Sequence, residues 1–106
     1  MAFQKKNKTN YKMRVKVWLY PAQNAAWHFA TLPKKQSAAI RKTFGALSRG
    51  WGSLPVRATI GATSWDTSIF PDKKRNAYLL PLKALVRETE HIAAGDTVSL
   101  EIEICT

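Results

Sequence analysis

The sequence predicts an all-β domain: a small six-stranded β-barrel with two short helices. Three observations carry that expectation. Short segments of alternating apolar and polar residues recur along the chain, the signature of half-buried strands. Gly, Pro and Asp punctuate them closely, leaving room for only two brief helical patterns. At 106 residues the chain suits one compact domain, and closing six short strands on themselves removes the edges they would otherwise expose.

The first strand is Tyr11 to Tyr20 (YKMRVKVWLY), with Met13, Val15, Val17 and Leu19 on one face and Lys12, Arg14, Lys16, Trp18 and Tyr20 on the other. A turn over Pro21 to Ala26 leads to a second strand, Trp27 to Leu32. Pro33 opens a helix, where its missing N–H costs nothing, and Ile40 and Phe44 share a face at i,i+4. Gly45 is expected just past its C-terminus. The glycine-rich loop Ser48 to Ser53 carries Trp51, and strand three follows over Leu54 to Ile60, with Pro55 at its tolerant start. Gly61 turns the chain into strand four, Ser64 to Phe70. After the loop Pro71 to Asn76 come a short strand, Ala77 to Leu80, and a second helix from Leu82 to about Glu90 with Leu82, Leu85 and Val86 on one face. Gly95-Asp96 is a turn, and Thr97 to Cys105 is the last strand, pointing Val98, Leu100, Ile102 and Ile104 inward.

The order strand, Pro, helix, Gly turn, strand occurs twice. Thr31-Leu32-Pro33 and Leu79-Leu80-Pro81, 48 residues apart, anchor the two copies. A barrel of two pseudo-repeats is the expected consequence. Residues 1–10 read as a flexible basic tail and 11–106 as a single barrel domain.

Charge is the unusual feature: 17 Lys and Arg against 7 Asp and Glu, a net +10. No acid precedes Asp66, so residues 1–65 carry 12 positive charges and residues 66–106 a net −2. Such asymmetry points to an anionic partner, nucleic acid or another polyanion first. The start lacks an apolar signal segment, no run suits a membrane span, and Cys105 is alone, so a cytoplasmic protein is expected. His28 and His91 have no local partners at metal spacing, and no P-loop, GxGxxG or GxSxG motif is present. The expectation is therefore a non-enzymatic module with no catalytic residue, cofactor or metal.

Trp27 to Pro33, Val56 to Phe70 (VRATIGATSWDTSIF), Leu79 to Arg87 (LLPLKALVR) and Gly95-Asp96-Thr97-Val98 together resemble an uncharacterised bacterial family, domain of unknown function nineteen-hundred-and-five. Tyr78 to Ile104 more distantly resembles the swapped-hairpin half-barrel of AbrB/MazE-type regulators. What the resemblance implies is a six-stranded double-split β-barrel within one chain. It brings no established activity, so no catalytic residue carries over, and the basic residues before Tyr11 lie outside the family pattern.

Candidate sites follow from charge and aromatic content. Lys34, Lys35, Arg41 and Lys42 form a stripe on the first helix, and Lys73, Lys74 and Arg75 form the sharpest basic cluster. Both read as phosphate-binding surfaces or as solvated faces. Cations and aromatics interleave on the outer face of strand one, either to meet nucleic acid or to pair with Glu101 and Glu103 across a barrel seam. Arg57 and Arg87 need a carboxylate or carbonyl, with Asp66 or Asp96 in reach. Together with Trp27, Trp65 and Lys83 they form a possible pocket, the mark of a small-molecule-binding or catalytic barrel; otherwise Trp27, Trp51 and Trp65 are core or loop packing. A protein-interaction module is the third class. Whether the two basic clusters share a face is the question on which a nucleic-acid role turns.

Overall fold

The computed structural model describes residues 9–22 and 25–106. Its strands are β1 (Asn10–Ala22), β2 (Ala25–Thr31), β3 (Leu54–Ile60), β4 (Thr63–Asp72), β5 (Ala77–Pro81) and β6 (Thr97–Ile104). The helices are α1 (Lys34–Phe44) and α2 (Ala84–Thr89), and two single 3₁₀ turns, Gly45–Leu47 and Gly50–Gly52, lie between α1 and β3. The strands close into an antiparallel barrel in the order β1-β2-β5-β4-β3-β6. Each expected strand is present: β1 and β4 are three residues longer than expected and β2 and β5 one longer, while β3 keeps its length and β6 ends one residue earlier. β1 begins at Asn10, and the Thr9 carbonyl accepts a hydrogen bond from the Ile104 N–H at 2.8 Å, so the barrel starts before Tyr11. The rest of the expected tail, residues 1–8, lies outside the described residues.

Period-two alternation sets which side chains fill the barrel. Met13, Val15 and Val17 of β1, Val56, Ala58 and Ile60 of β3, and Leu100, Ile102 and Ile104 of β6 are all buried. Leu32, Ile40, Phe44, Leu82 and Val86 close the core from the helices and their entries. Two residues depart from the expected pattern. Leu19 shares the inward parity of β1 but is 43% exposed, because it sits beyond the packed interior in register with His28. Leu85 is 65% exposed: α2 is only six residues long, and the stripe it buries narrows to Val86. Gly45 also differs from expectation, with a right-handed φ of −56°, because α1 tightens into the 3₁₀ turn rather than ending in a left-handed cap.

The two halves are related by a pseudo-two-fold axis. Exchanging β1 with β4, β2 with β5 and β3 with β6 leaves every neighbour relation in the barrel unchanged. The Leu32 N–H donates to the Tyr78 carbonyl and the Leu82 N–H to the His28 carbonyl, both at 2.9 Å. α1 starts at Lys34 and α2 at Ala84. The structural offset is therefore 50 residues, not the 48 between the two Pro-containing tripeptides. The prolines misalign the copies because Pro33 precedes α1 while Pro81 still belongs to β5.

Ser37 joins α1 to this frame. It is buried, its hydroxyl accepts the Tyr78 N–H at 3.0 Å, and it donates to the Leu32 carbonyl at 3.4 Å. Ser37→Ala leaves a buried backbone donor unpaired, and a loss of about 1–3 kcal/mol is expected. A lower urea midpoint with an unchanged m-value is the measurement that checks it. Tyr11 holds the same helix from β1: burial pushes its phenol above the ordinary value of 10.0, partly offset by a hydrogen bond with Thr43.

Candidate functional site

The outer face of β1 and β2 carries aromatic residues in register. Trp18 stands opposite Phe29 and Tyr20 opposite Trp27. The Trp18 and Phe29 rings are 5.2 Å apart, and Trp27 and Phe29 lie nearly parallel at 6.5 Å. Tyr20 is 56% exposed and Trp27 53%. The row therefore leaves an aromatic patch open to solvent on this sheet. The Trp18 ring is also fixed in place, since its indole N–H donates to the Thr31 hydroxyl at 2.8 Å.

The β4–β5 loop brings the sharpest basic cluster onto this row. The Arg75 guanidinium lies 4.4 Å from the Trp18 ring centroid, a cation–π contact, and pairs with Asp72. Asp72 also accepts the Lys74 N–H at 3.0 Å. The Arg75 hydrogen bond is the main cause holding the Asp72 carboxyl below its ordinary 3.8. Lys73 and Lys74 make no ion pair among the described residues. Between this loop and the row runs a groove of about 490 Å³, lined by Trp18, Tyr20, Phe29, Lys73, Lys74 and Arg75.

The first helix meets the same region at one end. Arg41 donates to the Asn76 side chain at 3.3 Å and lies 5.8 Å from the Tyr78 ring centroid, joining the C-terminal turn of α1 to the end of the basic loop. Arg41 thus stands next to the end of the Lys73–Arg75 cluster. Lys34 and Lys35 are at the other end of α1, about 10 Å away along the helix axis.

The seam between β1 and β6 resolves the remaining charges on β1. Lys12 faces Glu101 across it, Arg14 faces Ser99 and donates to its hydroxyl at 3.3 Å, and Lys16 faces Thr97. Glu103 faces Asn10 on one side and Arg57 on the other. Only one of the three cations therefore sits opposite an acid. Lys12 makes no ion pair with it among the described residues, and the Glu101 carboxylate instead accepts the Asn10 side-chain N–H at 3.3 Å.

At the α2 end of the barrel, Trp27, Trp65, Lys83 and Arg87 line one cleft of about 340 Å³, together with His28, Asp66 and Thr67. Arg57 does not line it. Arg57 is instead paired with Asp66 at 3.2 Å, and both side chains are more than half exposed, so its expected partial burial does not occur. Arg87 takes a carbonyl as its partner: its Nε–H donates to Leu82 at 3.3 Å. The tryptophans divide three ways. Trp65 is core at 7% exposure, Trp27 is shared between the row and the cleft, and Trp51 is 93% exposed on a left-handed backbone (φ 63°). Neither core nor loop packing describes Trp51. Its neighbour Gly52 packs so close to Pro71, at the edge of the basic groove, that a Cβ there would lie 2.9 Å from the proline ring.

The sequence reading missed Phe29 and His28 as site residues. Aromatics at alternate positions, Trp18-x-Tyr20 and Trp27-x-Phe29, were the available signal; that they form one row depends on the β1–β2 register. Among the described residues, no group of three or more His, Cys, Asp or Glu is arranged to hold a metal ion, and no helix is long and apolar enough to cross a membrane.

None of the curated proteins compared with the chain matches it. A family model described as Domain of unknown function (DUF1905) matches residues 14–102. That span runs from the middle of β1 to the inward-facing Ile102 of β6 and takes in every strand of the barrel, so the chain belongs to the DUF1905 family.

Proposed function

We propose that this protein is a binding module for single-stranded nucleic acid, acting through the outer face of β1 and β2 and the β4–β5 loop. The observation that carries this reading is the aromatic row walled by Lys73, Lys74 and Arg75. Unpaired bases stack on aromatic rings irrespective of sequence, while lysines beside them meet the phosphates. Duplex DNA hides its base faces, so the same row gives it little to hold. The proximity of Arg41 lengthens the positive edge along which a backbone runs. The reading involves no catalytic step.

Fluorescence anisotropy with a labelled oligonucleotide, single-stranded and duplex, at several salt concentrations tests it. Tighter binding of the single strand is expected, with log K falling as salt rises by about 0.7 per phosphate neutralised. Changing Lys73 and Lys74 together to Gln is expected to flatten that slope by roughly 1.4. No binding at low salt, or a preference for duplex, overturns the proposal.

A further inference from the structure

The pseudo-two-fold axis pairs the two ends of the barrel, and only one of them is filled. The 50-residue offset equates His28 with Tyr78 and Arg87 with Ser37. Under α1, Tyr78 is 2% exposed, its N–H is taken by Ser37, and the eleven-residue helix adds Ile40 and Phe44 to the core. Under the six-residue α2 only Val86 is buried from the helix, and the cleft lined by Trp27, Trp65, His28, Lys83 and Arg87 stays open.

We propose that this cleft binds a small organic anion: a single flat ring bearing a carboxylate or phosphate group. The ring lies against the exposed Trp27 indole, over a floor to which the buried Trp65 contributes an edge, and the charge meets Arg87 and Lys83. Arg87 is half-buried and anchored through Nε to the Leu82 carbonyl. Its terminal nitrogens, like the Lys83 ammonium, make no hydrogen bond or ion pair among the described residues. A guanidinium tethered in this way presents a planar fork suited to two oxygens of one anion. Asp66 also lines the cleft, but Arg57 at 3.2 Å counters its charge. His28 also lines the cleft, with its Nδ1 closed off from the surface and without a hydrogen-bond partner among the described residues. A volume of about 340 Å³ is at the small end for ligand sites, which limits the occupant to one ring.

The test is calorimetric titration of the full chain with benzoate and with phenyl phosphate, using inorganic phosphate and neutral benzyl alcohol to supply each half of the ligand alone. Saturable binding of at least one ring-bearing anion, tighter than of either half, is expected. Arg87→Gln is expected to weaken it roughly 10- to 100-fold. The Lys83 side chain is exposed and makes no hydrogen bond or ion pair among the described residues, so Lys83→Gln preserves the fold and is expected to weaken binding in the same direction. Lys73 and Lys74 line the groove and not the cleft, so changing both to Gln is expected to leave it unchanged, which separates this site from the nucleic-acid site. The proposal is overturned if neither ring-bearing anion binds saturably at millimolar concentration. It is equally overturned if benzyl alcohol binds as tightly, or if the Arg87 and Lys83 variants both bind like the parent.

Discussion

Leu80→Ala is expected to cost about 2–5 kcal/mol, a large part of the roughly 5–15 kcal/mol that holds a domain of this size together. Leu80 is fully buried in β5 and stands in register with Ala30 of β2, at the point where the pseudo-two-fold axis crosses the barrel. Large faces small at that contact. Truncating the leucine puts two methyl groups opposite each other, and the other inward residues are fixed by strands hydrogen-bonded on both sides. The cavity therefore persists instead of collapsing. The melting temperature is expected to fall by at least roughly 10 °C, followed by circular dichroism. Leu85→Ala removes the same side chain from a 65% exposed position and is expected to stay within about 0.5 kcal/mol. Equal losses for the two variants would contradict the burial of Leu80 and the exposure of Leu85.

The largest functional effect is expected at Trp18. Its ring contacts Arg75 and Phe29 and is tied through its N–H to Thr31, so it holds the row and the loop in order for an incoming base. Trp18→Ala removes the platform and also releases Arg75 from the ring. Affinity for a single-stranded oligonucleotide is expected to fall by about 1–3 kcal/mol, or roughly 5- to 150-fold. Because Trp18 is half-buried, the exposed Tyr20 provides the control for folding: Tyr20→Ala keeps the packing and is expected to weaken binding in the same direction. Anisotropy titration at fixed salt measures both. Parental affinity in both variants would remove the row from the binding surface.

The lysines show why composition alone said little. The net charge of +10 divides into groups with different surroundings. Lys12 faces Glu101, and Arg57 is paired with Asp66. Lys73 and Lys74 edge a groove, and Arg41 links that loop to α1. The two basic clusters that looked separate in the sequence therefore meet at one end, through Arg41 and Asn76, while Lys34 and Lys35 carry the positive stripe away from it.

The sequence by itself determined the strands, the two helices and, for most positions, which side chains face inward. Alternation has a period of two residues and needs only near neighbours to be read. It did not determine the exposure of Leu19 and Leu85, which depends on where the barrel interior stops and how short α2 is. Nor did it fix the repeat at 50 residues, since the two prolines serve different roles in the two copies. The site was decided almost wholly by tertiary structure. Trp18 meets Phe29 through the β1–β2 register, and Arg75 reaches Trp18 only because β5 lies between β2 and β4. Register and closure are properties of all six strands at once, so the aromatic row, the groove and the open cleft come into being only when the barrel closes.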